Sequence, residues 1–168
     1  SPTTAPKTRL TLHELVVAYM EHANSYYVKN GNPTSDIECI KLGTRPLLAL
    51  YGDSPADDFG PLKLRSVRQL MIDEKNLCRR TINKTIGRIR SIFRWGVSHE
   101  MVPASVLNSL EAVEPLKRGR TEARDPVKRR PVADTSIARV KKLVPERTAD
   151  LIDLQLLCGA RPGELLML

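Results

Sequence analysis

The sequence has few cysteines, and their spacing excludes the sites that cysteines usually build. Its three cysteines, Cys39, Cys78 and Cys158, are far apart and form no Cys-x-x-Cys pair. An odd number of widely spaced cysteines argues against a disulfide framework, and the absence of nearby histidines argues against a zinc site. We therefore expect reduced thiols in a cytoplasmic protein, with no zinc site.

Long apolar runs are missing as well. No stretch approaches the ~18 residues that a membrane-spanning helix needs, so no membrane partner is expected. The opening residues, SPTTAPKTR, contain no hydrophobic segment of the kind found in secretory signals. Because the chain does not begin with Met, we interpret it as a piece of a longer protein.

An alternating apolar and polar pattern, which would indicate β-strands, is also missing. Helical spacing of apolar residues predicts instead an all-α fold, with five helices in its first part over residues 11–31, 35–52, 66–75, 81–99 and 104–113. Thr11 and Glu14 have the spacing of a capping box at the start of the first helix. Gly43 and Pro46 are expected to bend or split the second helix, because proline cannot donate the helical hydrogen bond.

Positive charge is concentrated in the middle of the chain. Residues 62–130 contain seventeen basic and seven acidic side chains, a net charge of +10. Residues 1–61 have a net charge of −2, and residues 131–168 are neutral. A concentrated basic region in a helical segment is typical of nucleic-acid binding, and a merely solvated basic surface is the alternative. The charge pattern favours nucleic acid.

The fourth predicted helix, TINKTIGRIRSIFRWGVSH, has two different faces. Its core-facing stripe consists of Ile82, Ile86, Ile89, Phe93 and Val97. The opposite stripe contains Lys84, Arg88, Ser91 and Trp95. We predict that a cap at Thr81 leaves free N–H groups for an anion, and that the basic side chains contact DNA. These candidates are Arg79, Arg80, Lys84, Arg88, Arg90 and Arg94. A helix solvated by basic residues is the alternative, but these residues lack the acidic i+4 partners that such a helix usually has.

Residues 116–131, LKRGRTEARDPVKRRP, have the composition of a linker, with one glycine, two prolines and dense charge. The predicted organisation is therefore an N-terminal domain over 1–115, a linker over 116–131 and a second domain over 132–168. Lys117, Arg118 and Arg120 are candidates for contacts with a phosphate backbone. An inert, solvated linker is the alternative.

The chain ends on LLCGARPGELLML, where an arginine stands in an apolar neighbourhood. Burying a charged guanidinium is costly without an anionic partner. Either Glu164 pairs with Arg161 in a solvated turn, or Arg161 binds an anion that is not part of this chain. A helix capped at Asp134 or Thr135 and another helix before Gly159 are expected to lead into this turn.

The order of these features resembles the tyrosine recombinases, the phage-integrase family. The resemblance covers residues 11–168: a helical domain containing TINKTIGRIRSIFRWGVSHEMVP, a basic linker, a two-helix lead-in and CGARPGELLML. That last segment is similar to the first conserved box of the family, a Gly-x-Arg-x-x-Glu-Leu core. The resemblance implies a SAM-like helical bundle as core-binding domain, followed by the start of the catalytic domain.

The resemblance also implies roles for two residues. Arg161 matches the first catalytic arginine, and Glu164 matches the acidic residue that supports it. A planar guanidinium binds two phosphoryl oxygens at once, which suits phosphoryl transfer. The remaining catalytic residues, including the tyrosine nucleophile, would follow Leu168. The chain's own tyrosines have no matching context, so this piece alone is not expected to catalyse a reaction.

For the whole protein, the resemblance implies site-specific recombination of double-stranded DNA through a 3′-phosphotyrosine intermediate. It implies no cofactor, a homo-tetramer on paired sites, and a location in the bacterial cytoplasm at the nucleoid. The alternative is a non-catalytic helical DNA-binding regulator, in which GARPGELL is only a helix turn.

Overall fold

The computed structural model describes residues 9–167 and divides the chain into two compact units, Ser1–Pro126 and Val127–Leu168. Residues 1–8 of the predicted N-terminal domain, and Leu168 of the predicted conserved box, lie outside the described residues. The helices of the first unit are α1 (Leu12–Tyr26), α2 (Ser35–Tyr51), α3 (Pro61–Asp73), α4 (Arg79–Ser98) and α5 (Ala104–Glu111). Those of the second unit are α6 (Asp134–Lys141), α7 (Glu146–Cys158) and α8 (Pro162–Leu165). The chain is therefore all-α, as predicted.

The predicted capping box begins α1. The backbone N–H of Glu14 donates to the Thr11 hydroxyl at 3.2 Å, and the backbone N–H of Thr11 donates to the Glu14 carboxylate at 2.7 Å. The prediction that this helix reaches Gly31 is wrong. The chain instead forms a small antiparallel hairpin of β1 (Val28–Lys29) and β2 (Asn32–Pro33). Asn30 and Gly31 both have positive φ, as a two-residue hairpin turn requires.

Helix α2 continues through Pro46 without interruption, so the predicted split does not occur. The Thr44 hydroxyl donates to the carbonyl of Ile40 at 3.1 Å, which adds a hydrogen bond in the turn before the proline. At Gly43, a Cβ would lie 3.5 Å from Cγ2 of Thr85, an ordinary van der Waals contact, so α2 packs against α4 at this position.

Two helices begin earlier than predicted. Helix α3 begins at Pro61, whose fixed φ and missing N–H suit the first helical position. Helix α4 begins at Arg79 with Cys78 as its N-cap, so the predicted cap at Thr81 is wrong. The hydroxyl of Thr81 lies 3.2 Å from Sγ of Cys78.

One hydrophobic core holds the first unit together. Its largest fully buried side chains come from every helix of the unit and from the loop before α3: Leu12, Leu15, Leu47, Phe59, Leu64, Met71, Ile82, Ile89, Ile92, Phe93 and Leu110. The ring of Phe59 stacks on that of Phe93, with centroids 5.3 Å apart. The loop that contains Phe59 is thereby fixed to α4, which makes α4 the central helix of the unit.

The segment after α5 packs on the first unit, although the sequence predicts a linker from residue 116. The side chain of Asn83 donates to the Leu116 carbonyl at 3.0 Å and accepts from the Leu116 N–H at 2.9 Å. Ala123 is buried in the core. Residues 116–126 therefore have a defined position without regular secondary structure, and the unit ends at Pro126.

The second unit is small and has little core. Helix α6 begins at Asp134 with Ala133 as its N-cap, so the predicted cap at Asp134 or Thr135 is wrong. Lys141 of α6 pairs with Asp153 of α7 at 2.6 Å. Gly159 ends α7 with a φ of 65°, a conformation that favours glycine. Leu165 of α8 is the buried hydrophobic residue of this unit among those that the structure describes.

Candidate nucleic-acid interface

The inward face of α4 agrees with the predicted apolar stripe. Ile82, Ile86, Ile89 and Phe93 are buried, and Val97 is half-buried. Thr85 and Ile92 are buried in addition, so the core-facing side is wider than predicted. The prediction for Trp95 on the opposite stripe is wrong. Its half-buried indole lies tilted against the ring of His99, with centroids 4.3 Å apart, and meets Tyr19 edge-on at 5.6 Å between ring centroids.

Arg90 holds the end of α5. Its Nε donates to the Leu110 carbonyl at 3.1 Å, and its Nη2 donates to the carbonyl of Val113. The neighbouring Arg68 donates to the carbonyl of Glu114 at 3.0 Å. Burial, with further contributions from the charges of Arg65 and Arg90, lowers the pKa of Arg68. Because Arg90 is committed to carbonyl groups that end a helix, its position corrects the prediction that it contacts DNA.

Arg79 is also held by the protein itself. Its Nε donates to the Asp125 carboxylate at 2.6 Å, and the Arg79 side chain is largely covered. Its backbone N–H donates to the Arg124 carbonyl at 2.8 Å. We therefore assign Arg79 to fastening residues 116–126 and not to DNA, which corrects the sequence prediction.

The N-terminus of α4 offers less to an anion than predicted. The Arg79 N–H donates to the carbonyl of Arg124, and the side chain of Cys78 makes no hydrogen bond to the first backbone N–H groups. The Thr81 hydroxyl beside the sulfur, with further contributions from nearby backbone N–H groups, lowers the pKa of the Cys78 thiol. The expected free N–H groups are therefore partly occupied by the chain.

Three candidates are exposed but lie beside carboxylates. Arg94 pairs with Glu111 at 2.9 Å, Lys117 pairs with Glu114 at 2.7 Å, and Arg118 lies 3.5 Å from Asp125. Exposed ion pairs of this kind contribute ~0–1 kcal/mol each. A phosphate could replace such carboxylates at small cost, so these three residues stay candidates.

Three further candidates have no carboxylate partner within 4 Å among residues 9–167, and all are exposed: Arg80, Lys84 and Arg120. Arg88 is intermediate. Its side chain is 23% exposed, and its Nη2 lies 3.9 Å from the carboxylate of Asp36, at the limit of an ion pair. These cations on α4 and in the following segment are the ones most available to an external anion.

Helix α2 adds two basic residues that the sequence prediction missed. Lys41 and Arg45 are exposed and one turn apart, and within the described part of the chain neither is in an ion pair. Arg45 and Arg88 border the same groove between α2 and α4. The spacing of Lys41 and Arg45 in the sequence indicates a basic side of α2. The sequence prediction missed it because residues 1–61 as a whole have a negative net charge.

In the second unit, Arg161 and Glu164 are brought together, but not as a guanidinium–carboxylate pair. The backbone N–H of Arg161 donates to the Glu164 carboxylate at 2.9 Å. The backbone N–H of Glu164 donates to the carbonyl of Arg161 at 2.9 Å. Glu164 thus closes the first turn of α8 and fixes the backbone of Arg161. The exposed Arg161 guanidinium has no carboxylate within 4 Å among the described residues.

Within the described range, no helix combines the length and apolarity needed to cross a membrane, and no three potential ligand side chains cluster as a metal site would require. Comparison of the chain with protein-family models, with curated proteins and with solved structures finds no match. The arguments for function therefore rest on the residues and geometry of this chain.

Proposed function

We propose that the first unit binds duplex DNA through a basic surface, which we call the α2–α4 face and define as Lys41, Arg45, Arg80, Lys84, Arg88 and Arg120. The supporting observation is the separation of roles on α4. Its apolar stripe is buried, whereas Arg80 and Lys84 are exposed and have no carboxylate partner among the described residues. Lysine and arginine side chains on an exposed helix suit contacts with phosphates and base edges in a major groove.

The experiment compares two double variants with the same loss of charge. Arg80→Gln/Lys84→Gln removes two cations of the α2–α4 face. Lys29→Gln/Arg65→Gln removes two exposed cations of the hairpin and of α3. Affinity for a labelled DNA duplex is measured by fluorescence anisotropy at one salt concentration. The first variant should bind at least about tenfold more weakly than the second, because direct phosphate contacts are lost.

Equal weakening of both variants would mean that only total charge matters, and the proposed face would be wrong. Thermal unfolding followed by circular dichroism serves as the folding control. Both substitutions lie on exposed positions, where changes in stability are usually within ~0.5 kcal/mol.

We further propose that the chain is part of a tyrosine recombinase, in which Arg161 binds the scissile phosphate. What supports this proposal is the resemblance of GARPGEL to the family box, together with the exposed guanidinium of Arg161 and the fixed backbone beneath it. Glu164 acts here as a positioning residue, since it holds the Arg161 N–H at 2.9 Å. Preorganised donors of this kind contribute about 10²–10³ in rate.

The recombinase proposal is tested in a protein that carries the nucleophile as well as this chain. Arg161→Ala should leave DNA affinity within a few-fold, because most affinity arises from the many phosphate contacts of the first unit. It should abolish the covalent protein–DNA adduct on a nicked suicide substrate. Arg161→Lys should restore little, because an ammonium group cannot bind two oxygens in one plane.

A non-catalytic DNA-binding regulator is the second candidate. The bond between Glu164 and the Arg161 N–H favours it, since a carboxylate that only caps a turn would make the same contact. If the Arg161→Ala protein forms the adduct at the parental rate, or if no tyrosine-linked adduct forms in the parent, the regulator is the better description.

A further inference from the structure

A groove of about 590 Å³ lies between α2, the end of α3 and the first half of α4. Its apolar wall is formed by Leu42, Pro46, Ala49, Leu70, Met71 and Leu77. From Gly43 to Ala49 the groove follows α2 for six residues, which is about 9 Å at 1.5 Å per residue. Its volume falls in the range of small-molecule sites, roughly 300–1,000 Å³.

The two ends of the groove differ in chemistry. Arg88 stands at the end near Gly43, where its Cδ lies 3.9 Å from the position of a Cβ on that glycine. Its side chain is largely covered and has only Asp36, at 3.9 Å, as a carboxylate partner within the described residues. At the other end, Ala49 and Met71 are apolar. Arg45 and Lys75 add two cations to the border, against one carboxylate, Glu74.

We propose that this groove binds a free, single-chain carboxylate of about ten to twelve carbons, a size that suits a pocket of this volume. The carboxylate binds Arg88, where a charge-assisted hydrogen bond is strong because the guanidinium is partly removed from water. The alkyl chain lies along Leu42 and Ala49 and then turns toward Leu70, because the roughly 9 Å beside α2 is shorter than an extended chain of this length. Arg45 and Arg88 also belong to the α2–α4 face, so occupancy of the groove is measured without DNA.

The surroundings of the groove favour a small ligand over a protein partner. A stable protein interface buries about 800 Å² on each partner, with an apolar centre that extends well beyond one cavity. Besides the apolar residues Leu42 and Ala49, the exposed residues of α2 and α4 include three cations, namely Lys41, Arg45 and Lys84. A helix or a second copy of the chain would therefore lay its apolar face partly against cations.

The test is isothermal titration calorimetry of the 168-residue chain with dodecanoate below its micellar concentration. Saturable binding of one molecule per chain is expected. Arg88→Gln should weaken it about tenfold or more, since a hydrogen bond between charged groups is lost. Ala49→Phe should weaken it as strongly by filling the apolar end, because Ala49 is exposed and lines the groove.

Matched controls place the same changes outside the groove. Arg65→Gln and Ala104→Phe alter exposed positions on α3 and α5 and should bind dodecanoate like the parent chain. Dodecyltrimethylammonium keeps the alkyl chain but reverses the charge, and acetate keeps only the head group. Neither should bind. If Ala49→Phe unfolds, as judged by circular dichroism, Leu42→Ser takes its place.

Several results would overturn the proposal. These are an absence of saturable heat with dodecanoate, equal binding by the parent and both groove variants, or equal binding of dodecyltrimethylammonium. Sedimentation velocity provides a further test. A dimer of the parent chain that dissociates in the Ala49→Phe variant would overturn the proposal, because it would show that a second copy of the chain covers the groove.

Discussion

Arg90 and Lys84 lie on the same helix, but their surroundings give them different tasks. Arg90 donates to the carbonyls of Leu110 and Val113 at and after the end of α5. The Leu110 carbonyl also accepts from the backbone N–H of Val113. Arg90→Ala would remove the side-chain donor of the part-buried Val113 carbonyl, so we expect the free energy of unfolding to fall by about 1–3 kcal/mol. Urea denaturation followed by circular dichroism measures this change.

Lys84→Ala is the control for that prediction. Its side chain is exposed and is in no ion pair within the described part of the protein, so the free energy of unfolding should change by less than ~0.5 kcal/mol. If Arg90→Ala is as stable as Lys84→Ala, the arginine does not fasten α5, and Arg90 returns to the list of candidates for DNA.

Glu14 gives α1 a stability that depends on pH. Its hydrogen bonds with the backbone and the hydroxyl of Thr11 lower the pKa of its carboxyl below the usual 4.5. A lowered folded-state pKa means that the ionised form stabilises the fold above about pH 4.5, and that this stabilisation is lost as the pH falls through the folded pKa. Glu14→Gln retains an acceptor but cannot ionise.

We therefore expect Glu14→Gln to be less stable than the parent at pH 7 and equally stable near pH 2. Thermal unfolding over this pH range measures the difference. A difference that stays constant across the range would contradict the assignment, because it would show that the charge of Glu14 has no part in the cap.

At the scale of elements, Asn83 ties the segment 116–126 to α4. Its amide makes two hydrogen bonds with the backbone of Leu116, at 2.9 and 3.0 Å. Asn83→Ala should free this segment while the helices remain, because the core residues of α4 are elsewhere. Hydrogen exchange should become faster at residues 116–126 and stay unchanged in α1. Faster exchange throughout the unit would instead indicate global destabilisation.

The presence of the helices was predictable from the sequence, but their first and last residues were less predictable. The apolar stripe of α4 and the Thr11–Glu14 cap depend on neighbours within a few residues, and both predictions are confirmed. The end of α1 was missed because glycine with positive φ serves helix ends and hairpin turns alike. Asn30 before Gly31 is the signal that distinguishes a hairpin.

The candidate site was predictable only in part. A sequence shows which side of α4 is apolar, and so it identifies exposed cations such as Arg80 and Lys84. It does not show that the carbonyls at the end of α5 reach Arg90, or that Asp125 returns to Arg79. Those contacts join residues 20 and 46 positions apart, and they depend on how the helices pack.

At the scale of the whole molecule, the net charge of +8 is spread unevenly, and several basic side chains are already engaged within the chain. Arg79 and Arg94 are used in ion pairs, and Arg90 is used on carbonyls. The cations available to DNA are therefore fewer than composition indicates. The number of phosphates neutralised on binding should reflect the exposed, partner-free residues of the α2–α4 face rather than the total charge.

The number of exposed, partner-free cations on the α2–α4 face makes the salt dependence of DNA binding a quantitative test. If about five cations of the α2–α4 face each neutralise one phosphate, log K should fall with log salt with a slope of about −4.5. Such a slope corresponds to a loss of about 500-fold in affinity between about 50 and 200 mM salt. Arg80→Gln/Lys84→Gln should reduce the slope by about 1.8, while Arg79→Gln should leave it nearly unchanged because Asp125 already neutralises that arginine. Fluorescence anisotropy at several salt concentrations yields these slopes. A slope near zero, or an equal reduction in the two variants, would contradict binding through this face.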